Sequence, residues 1–543
     1  MRQRLAAIAL VLGACALGCG RSPEPGGEGA PPNIVWIVAE DLGPYIPPFG
    51  DSTIVTPNLS RLAAEGIRYP NLFSPSGVCA PSRAAIATGM YPNRIAAGHM
   101  RTVGGPRPEG IPNYEAIPPE GTRLHSEYLR MAGYYATNNS KTDYQFIAPV
   151  TAWDESSPRA HWENRAHGQP FFAIFNLFVT HESRIWAKAE DSLRVDPDLS
   201  VPVPPYLPDT PVGVNDVRRM YSNIVEMDRQ VGDLLDELEE AGLMDSTVIF
   251  WYTDHGGPLP RMKRRLYDSG LNAPLIVRLP DGERAGERDE RLLSFIDLKP
   301  TLLSVAGIEP PGYVDGVPFL GVFEGARREY VHAAADRLDT VYDGTRAVRD
   351  ARYKYIGHLD PSRPYYVPVA YREQMPIMQE LLRLRDEGSL TDAQSLWFRE
   401  SRPAEELFDT WTDPHEVNDV SHVVELQPRL EELRNEARRW MDEIKDTGLV
   451  PETELIARLW PDGRQPETRP VRFVPGGAVV SLDSRTAGAS IGYQMLEGDQ
   501  SLGRIWSVYE SPIEVEQGVR IAAIAHRIGY MQSDTTWFAV ERL

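Results

Sequence analysis

The chain has 543 residues, of which 42% are hydrophobic, and it carries a formal net charge of −21. This length exceeds what one simple hydrophobic core supports, so two or three domains are expected, and the apolar content excludes a mainly disordered chain. The strong negative charge argues against a nucleic-acid-binding protein, and it requires any anionic substrate to be held in a locally basic pocket.

The N-terminus has the pattern of an export signal, with a basic start over residues 1–4 and a short apolar run over residues 5–14. The run is too short to span a bilayer. The residues up to Cys15 resemble a bacterial lipoprotein cleavage box, and those up to Cys19 a weaker one. An ordinary signal peptide with incidental cysteines is the alternative. We predict an exported periplasmic or cell-surface lipoprotein of a bacterium, whose signal peptide and flexible tether cover residues 1–19 and 20–32.

Four apolar runs in the next part of the chain predict buried strands, over residues 33–39, 134–137, 170–179 and 247–253. The polar residues that follow them are Glu40-Asp41, Lys141, His181 and Asp254-His255. Helical patterns lie between the strands, one of them over residues 121–133, and the longest keeps a three-to-four spacing of apolar residues from 216 to 241. This alternation predicts an α/β fold with a doubly wound, mixed but mainly parallel sheet sandwiched by helices. Because ligands gather at the carboxyl ends of parallel strands, the polar residues are expected to share one site.

Cys15 and Cys19 lie in the predicted signal peptide, so Cys79 is the one cysteine expected in the folded part of the protein. It shortly precedes Pro81 and a helix-favouring run, so we expect it at a helix N-terminus, where free backbone N–H groups favour anions. Arg83 follows on the same turn and offers a forked donor suited to an oxyanion. A lone cysteine is more often a small buried apolar residue, so its position alone does not make it a nucleophile.

The segment Cys79-Ala80-Pro81-Ser82-Arg83, with Thr88-Gly89 at the family's spacing, resembles the signature of the type I sulfatases of the alkaline phosphatase-like superfamily. In that family the cysteine is oxidised to formylglycine, by a formylglycine-generating or an anaerobic maturation enzyme, and becomes the nucleophile. The resemblance covers residues 33–445 and implies a catalytic α/β domain over 33–330 and a C-terminal α+β subdomain, with a small antiparallel sheet, over 331–465. Short strand-like segments over 466–543 predict an accessory β-sandwich that is either structural or carbohydrate-binding.

The resemblance also implies a divalent metal ion held by two residue pairs and by position 79. Glu40-Asp41 occupies the place of the family's Asp-Asp pair, and Asp254-His255 the place where many members have Asp-Asn. Glu40 is longer than Asp by one methylene, and His255 is a nitrogen ligand, which shifts the preference toward manganese or zinc. Calcium is the expected ion because members with Asp-His are familiar, and manganese and zinc are the alternatives. A helix-capping turn is the competing interpretation of Asp254-His255.

Three further residues complete the catalytic set that the resemblance implies together with Cys79 and Arg83. Lys141 and Lys263 stand where the family has its two sulfate-binding lysines, and His181 is the candidate general acid, a structural histidine being the alternative. After Lys141 the family commonly has Trp-His, whereas this chain has Thr142-Asp143, so the leaving-group side differs from the common pattern. Weaker candidates for sugar contacts are His99, Arg101, Asp143, Asp336 and Arg337.

The sequence therefore predicts a formylglycine- and metal-dependent sulfuric ester hydrolase that acts on sulfate ester or N-sulfate groups of a sulfated glycan. It looks most like the heparan N-sulfatases and related bacterial polysaccharide sulfatases. A phosphonate or phosphate monoester hydrolase of the same superfamily is one alternative, and a non-catalytic glycan-binding surface lipoprotein is another. The expected partners are the sulfated saccharide, the maturation enzyme and, through a lipid on Cys15 or Cys19 alone, a membrane.

Overall fold

The computed structural model describes residues 31–539, so Cys15, Cys19 and the predicted signal peptide lie outside the described residues. The larger part of the described chain is built on one eight-stranded sheet. Its strands are β1 Asn33–Ala39, β2 Ile67–Phe73, β3 Tyr135–Asn139, β4 Glu155–Ser156, β5 Phe171–Leu177, β6 Thr247–Thr253, β7 Asn272–Arg278 and β8 Leu293–Ser294. The spatial order is β4-β3-β5-β1-β6-β7-β2-β8. The strands from β4 to β6 in this order are parallel, and β7 is antiparallel to both its neighbours, which confirms the mixed, mainly parallel sheet.

Helices cover both faces of this sheet. They are α1 Pro57–Glu65, α2 Cys79–Thr88, α3 His125–Met131, α4 Ser183–Trp186, α5 Pro211–Glu240, α6 Asp268–Leu271, α7 Leu298–Val305, α8 Pro376–Asp386, α9 Asp392–Ser395, α10 Gln427–Ile444 and α11 Glu452–Leu459. Val35 and Ile37 of β1 pack in a core with α1 and α5, whereas Trp36 and Val38 pack in a core with α2, α3 and α7. Because β1 is covered on both sides, its residues are apolar without alternation.

Two elements differ from the pattern that the sequence predicts. The strand β2 is not among the strands predicted above. Pro70 and Asn71 interrupt its apolar run, and the structure accommodates them at a shift in register between Tyr69 and Leu72. The helix expected over residues 121–133 is confined to α3. Gly121 has a left-handed φ of 78°, and the helix begins where the Glu127 carboxylate accepts the backbone N–H of Leu124.

The chain after the central sheet forms a smaller antiparallel sheet of four strands in the order β12-β11-β10-β9. The strands are β9 Val331–Leu338, β10 Val341–Arg349, β11 Tyr353–His358 and β12 Glu405–Asp409. The alternating pattern over residues 346–356 corresponds to the β10–β11 hairpin. Leu430, Leu433 and Ala437 of α10 pack with Val348 and Leu407 of this sheet.

The C-terminal part contains two antiparallel sheets, β13-β14-β17 and β16-β15-β18-β19. Their strands are β13 Val471–Gly476, β14 Val479–Ser484, β15 Ser490–Glu497, β16 Ser507–Val508, β17 Ile513–Glu514, β18 Val519–His526 and β19 Thr536–Ala539. Val480 and Leu482 of one sheet share a core with Ile491 and Ile521 of the other. None of the helices between residues 31 and 539 combines the length and the apolar character needed to cross a membrane.

Candidate active site

The floor of the site is the edge where four neighbouring parallel strands, β3, β5, β1 and β6, end. The polar residues that follow these strands are Lys141, His181, Glu40-Asp41 and Asp254-His255. The sequence predicts that these groups meet, and they do so because adjacent parallel strands carry their carboxyl ends to the same edge.

Cys79 is the first residue of α2, and its side chain is fully buried above this edge. Its Sγ lies 3.5 Å from Nε2 of His255 and 3.9 Å from Oδ1 of Asp41. Ser82, on the same helical turn, donates a hydrogen bond to the backbone carbonyl of Asp254. The first turn of α2 is thereby attached to the end of β6, which brings Cys79 against the acidic residues.

Asp41 occupies the centre of the acidic cluster. Its left-handed φ of 50° accompanies a sharp turn after β1, and its backbone N–H donates to Oδ1 of Asp254 at 3.0 Å. Its Oδ1 lies 2.9 Å from Nε2 of His255. One donor atom from each of Asp41, Cys79, Asp254 and His255 lies within 4.8 Å of the others, and all four residues are buried. Two buried carboxylates and an imidazole at this spacing fit a divalent cation.

Glu40, which was predicted as a metal ligand, is not a member of this four-residue group. Its Oε2 accepts from Nζ of Lys141 at 2.7 Å, and its Oε1 lies 3.7 Å from the guanidinium of Arg83. A second group that could hold a cation is formed by Glu40, Asp41 and His181. Four of the five predicted metal residues therefore share one group, and Glu40 joins them only through Asp41.

Each acidic residue of the edge is paired with a cation. The pairs, with their N–O distances, are Lys263–Asp41 at 2.6 Å, Lys141–Glu40 at 2.7 Å and Arg83–Asp254 at 3.1 Å. Buried charges of one sign are strongly unfavourable, so this pairing lets the carboxylates stay ionised. The same three cations lie close enough to Cys79 to interact with its charge, which makes the surroundings of Cys79 suited to an anion.

The ionisation of the site follows from these charges. Burial alone would raise the pKa of the Cys79 thiol, but the nearby charges of Lys141 and Lys263 outweigh it and lower the pKa to about 6. Burial alone would lower the pKa of His255, but the carboxylates of Asp254 and Asp41 raise the pKa to about 10. The site thus favours negative charge at position 79 and positive charge at His255, next to the carboxylates of Asp41 and Asp254.

His181 is fixed with one ring nitrogen toward the cluster. Its Nδ1 lies 2.8 Å from the hydroxyl oxygen of Ser183, and its ring stacks on Phe178 with the ring centres 4.6 Å apart. Its Nε2 lies 3.4 Å from Nζ of Lys263 and 3.9 Å from Oδ2 of Asp41. This arrangement places His181, a side chain able to donate or accept a proton, beside Lys263 and Asp41.

The five candidate sugar-contacting residues fall into two groups. Arg101 and Asp143 form an ion pair at 3.0 Å, and Asp143 lies 3.9 Å from Lys141, so these two border the site. The other three are buried. Asp336 pairs with Arg346 at 2.8 Å, Arg337 pairs with Glu452 at 2.7 Å, and Nδ1 of His99 accepts the Arg337 backbone N–H at 3.2 Å.

Three residues that the sequence did not single out support the predicted ones. Asn176, on β5, accepts from the Arg83 guanidinium at 2.7 Å and donates to Asn138 at 3.1 Å. Glu182 and Arg264 pair with each other through two contacts of 2.8 Å. One signal for Asn176 was available, because it is the single polar residue in the apolar run over 170–179. Glu182 and Arg264 directly follow predicted site residues, but nothing local indicates that they meet.

A buried nucleophile candidate beside a cation-binding group and three fixed cations defines a hydrolase of anionic esters, because such a site neutralises the charge of the reacting group. The comparisons with known proteins specify the ester. The family model described as "Sulfatase" matches residues 32–151 and 160–308, and that described as "N-sulphoglucosamine sulphohydrolase, C-terminal" matches residues 261–363.

The chain is 48% identical over 537 residues to an ulvan-active sulfatase of Formosa agariphila, which covers 92% of this chain and 90% of that protein. It is 24% identical over 515 residues to N-sulphoglucosamine sulphohydrolase of Homo sapiens, covering 84% and 96%. The solved structure of a 2-O GAG sulfatase matches with a TM-score of 0.56 at 20% identity, over 77% of this chain and 93% of that one. The chain belongs to the sulfatase family, and the protein is a sulfuric ester hydrolase.

Proposed function

We propose that the protein removes sulfate groups from a sulfated polysaccharide, and that ulvan is the first polymer to test. The observation that carries the proposal is the cluster of Lys141, Lys263 and Arg83 close to Cys79, beside a group that could hold a cation. The 48% identity to an ulvan-active sulfatase supports the choice of polymer.

Position 79 is the proposed nucleophile, after conversion of the cysteine to formylglycine. When hydrated, that group supplies one hydroxyl to attack sulfur and a second whose deprotonation allows sulfate to leave. Because the Cys79 side chain is fully buried in the folded protein, the maturation enzyme would have to reach it before folding is complete. The lowered pKa of the thiol reflects the same surroundings, which would favour a nucleophilic oxygen at this position.

The proposed metal ligands are Asp41, Asp254, His255 and position 79, with Glu40 beside them through its contact with Lys141. Calcium is the proposed ion, and manganese and zinc are the alternatives, because His255 contributes nitrogen where calcium prefers oxygen. A bound cation would neutralise part of the negative charge on the sulfate oxygens.

Sulfate binding and proton donation are assigned to the basic side chains. Lys141, Lys263 and Arg83 would hold the sulfate oxygens, since each already points a donor toward an acidic group at this edge. His181 would give a proton to the departing sugar oxygen or nitrogen from Nε2, because its other nitrogen is engaged with Ser183.

The sugar would be recognised at the border of the site by Arg101 and Asp143, whose ion pair leaves the Arg101 side chain 37% exposed. Arg337 would position the segment that carries Arg101, because its guanidinium donates to the backbone carbonyls of Met100 at 2.7 Å and Arg101 at 3.3 Å. His99 and Asp336, the other two residues proposed for sugar recognition, are buried. His99 accepts the backbone N–H of Arg337, and Asp336 directly precedes Arg337 in the chain.

We also propose that the protein is exported and anchored by a lipid on Cys15 or Cys19, on the basis of the N-terminal pattern alone. Expressed in a Gram-negative host, the full chain is expected in the membrane fraction, with a lipid mass on its N-terminal peptide. Unaltered membrane partitioning of the double variant Cys15→Ser/Cys19→Ser would contradict this anchor.

The experiment that tests the function uses the full chain co-expressed with a maturation enzyme. Sulfate release is measured from ulvan oligosaccharides and N-sulfoglucosamine, and phenol release from aryl phosphate and phosphonate monoesters, with Cys79→Ala as the inactive control. Release from ulvan that disappears in Cys79→Ala supports the proposal. Hydrolysis of the phosphorus esters with no sulfate release from any saccharide would replace it with the phosphonate or phosphate hydrolase.

A further inference from the structure

A cleft of about 720 Å³ opens between the edge of the central sheet and the smaller antiparallel sheet. It is lined by the segments before β8 and β9, by the β10–β11 turn and by the loop after β12. The isolated bridge between Leu292 and Arg328 joins two of these segments. None of the residues assigned above to the active site lines this cleft.

Trp411 stands exposed at the cleft but is held in one orientation. Its side chain is 67% exposed, and its indole N–H donates to the backbone carbonyl of Ala351 at 3.0 Å. The Arg352 guanidinium lies 5.3 Å from the centre of the indole ring and is itself held by Asp409 at 3.0 and 2.6 Å. A large aromatic ring that is both exposed and fixed marks a binding surface, since it offers apolar area at little further loss of conformational entropy.

The lining of the cleft is more basic than the protein as a whole. It contains five arginines and three acidic residues, which are Arg291, Arg327, Arg328, Arg352 and Arg429 against Glu290, Glu329 and Asp350. Four of these arginines are paired with carboxylates. Arg327 is exposed and makes no ion pair with any other residue between 31 and 539. In a chain of net charge −21, an available guanidinium in the same cleft as a fixed indole favours an anionic ligand that also has an apolar face.

The cleft is remote from the reacting centre. It lies at the start of β9, beside Tyr330, whereas Leu338 at the end of β9 packs with Val78 and Ala80 at the start of α2. The seven residue steps of this strand span roughly 23 Å at about 3.3 Å per residue. One monosaccharide therefore cannot occupy both places.

We propose that this cleft is a second binding site for the sulfated polysaccharide, which retains the polymer while its sulfate groups are removed elsewhere on the protein. This inference rests on the proposed function. A sugar ring would stack its C–H face on Trp411, and a sulfate group would pair with Arg327. Such a site raises the local concentration of the polymer without touching the reacting groups. It would therefore lower KM for the polymer and leave the hydrolysis of a monosaccharide unchanged.

The test compares the full chain with the double variant Trp411→Ala/Arg327→Ala. Binding is measured in the inactive Cys79→Ala background by affinity electrophoresis in gels that contain ulvan or chemically desulfated ulvan. Retardation by ulvan is expected to fall at least about fivefold in the double variant, the amount expected from losing one aromatic contact and one charged contact. Desulfated ulvan is expected to retard both proteins weakly and to a similar extent.

Trp537→Ala serves as the matched control, because Trp537 is 49% exposed but lies on β19, outside the cleft. In the active protein, the cleft variant is expected to raise KM for ulvan about fivefold and to leave kcat/KM for a sulfated monosaccharide unchanged. Equal ulvan retardation of the cleft variant and its parent would overturn the inference, as would a loss caused by Trp537→Ala instead. Failure of the active parent to desulfate ulvan would contradict the proposed function and is observed separately from binding.

Discussion

Glu182 and Arg264 form a buried ion pair in which the two terminal guanidinium nitrogens each lie 2.8 Å from one carboxylate oxygen. Glu182 directly follows His181, and Arg264 directly follows Lys263, so the pair joins the two loops that carry these residues. Oε1 of Glu182 also lies 3.2 Å from Nζ of Lys263, and its backbone N–H donates to Asp41 at 2.7 Å. The pair therefore helps determine where the candidate proton donor and the lysine proposed to bind sulfate stand relative to each other.

Glu182→Gln is expected to lower kcat by about tenfold to a hundredfold, because small displacements of catalytic groups have effects of this order. The substitution leaves the charge of Arg264 without its carboxylate partner and leaves Lys263 paired with Asp41 alone. The stability of the fold is also expected to fall, since removing one member of a buried pair typically costs about 3–5 kcal/mol. Steady-state kinetics and thermal unfolding of the same preparation measure both effects.

Glu405→Gln is the matched control. Glu405 and Arg434 form a similar bidentate pair with two contacts of 2.6 Å, but the pair is partly exposed and lies outside the site. Its loss is expected to leave kcat unchanged and to alter stability by less than about 1 kcal/mol. If Glu182→Gln lowered the melting temperature but kept the parent kcat, the Glu182–Arg264 pair would be structural only.

Cys79→Ser is expected to accumulate a sulfated enzyme on incubation with substrate. A serine hydroxyl can attack sulfur once, but it has no second hydroxyl with which to expel sulfate. Intact-mass measurement before and after incubation detects the added sulfate group, and Cys79→Ala is expected to show none. Repeated turnover by the serine variant at a rate near that of the parent would refute position 79 as a formylglycine nucleophile.

His181→Ala is expected to slow sulfate transfer to the enzyme by about a hundredfold to ten-thousandfold, the usual contribution of general-acid catalysis. Single-turnover kinetics isolate this step from product release. The loss should shrink for substrates whose leaving group needs no protonation, such as a nitrophenyl sulfate. An equal loss for both kinds of substrate would argue that His181 orients the sulfate instead of protonating the leaving group.

Ile528→Ala is expected to destabilise the catalytic part of the chain by about 2–5 kcal/mol, although residue 528 lies in the C-terminal part. Ile528 is 3% exposed and belongs to the core around Trp36 of the central sheet. Nearby, Ser490 donates to Glu127 at 2.6 Å across the same junction. Ile505→Ala, at a residue 47% exposed, is the control and should change stability by no more than about 0.5 kcal/mol. This coupling would be contradicted if calorimetry showed that the catalytic part of Ile528→Ala unfolds at the same temperature as in the parent.

Lys299→Met is expected to change how stability depends on pH. Lys299 is fully buried and donates to the carbonyls of Thr88 at 3.0 Å and Arg123 at 2.8 Å. Burial lowers the pKa of Lys299 from 10.5 to about 7. Between these values the unfolded chain binds more protons than the folded chain, so the contribution of Lys299 to stability rises as the pH rises from about 7 to 10.5.

The melting temperature of the parent minus that of Lys299→Met should therefore increase between pH 6 and pH 9. Lys188→Met controls for the replacement of a lysine as such, because Lys188 is 37% exposed. A parent-minus-variant difference that stays flat or falls over this range would show that Lys299 keeps its proton in the folded state.

That the predicted polar residues meet at one candidate site could be expected from the sequence. The run over residues 247–253 coincides with β6, and the polar residues after four apolar runs meet at one edge. Local patterns suffice here because a strand buried on both faces must be apolar throughout, and parallel packing brings strand ends together. The position of Cys79 at the start of α2 was predictable for the same reason, since the preference of proline for the first helical turn is local.

The sequence by itself thus determined most of the elements around the candidate site, the residues proposed to carry the chemistry and the family to which the chain belongs. The tertiary structure decided how those residues are held: Glu40 on Lys141 instead of in the four-residue group, Glu182 on Arg264, and Ile528 in the core of the catalytic part. It also decided where Trp411 and Arg327 share a cleft. These contacts join residues far apart in the chain, and their energies depend on distance and burial in three dimensions, which no local spacing or periodicity encodes.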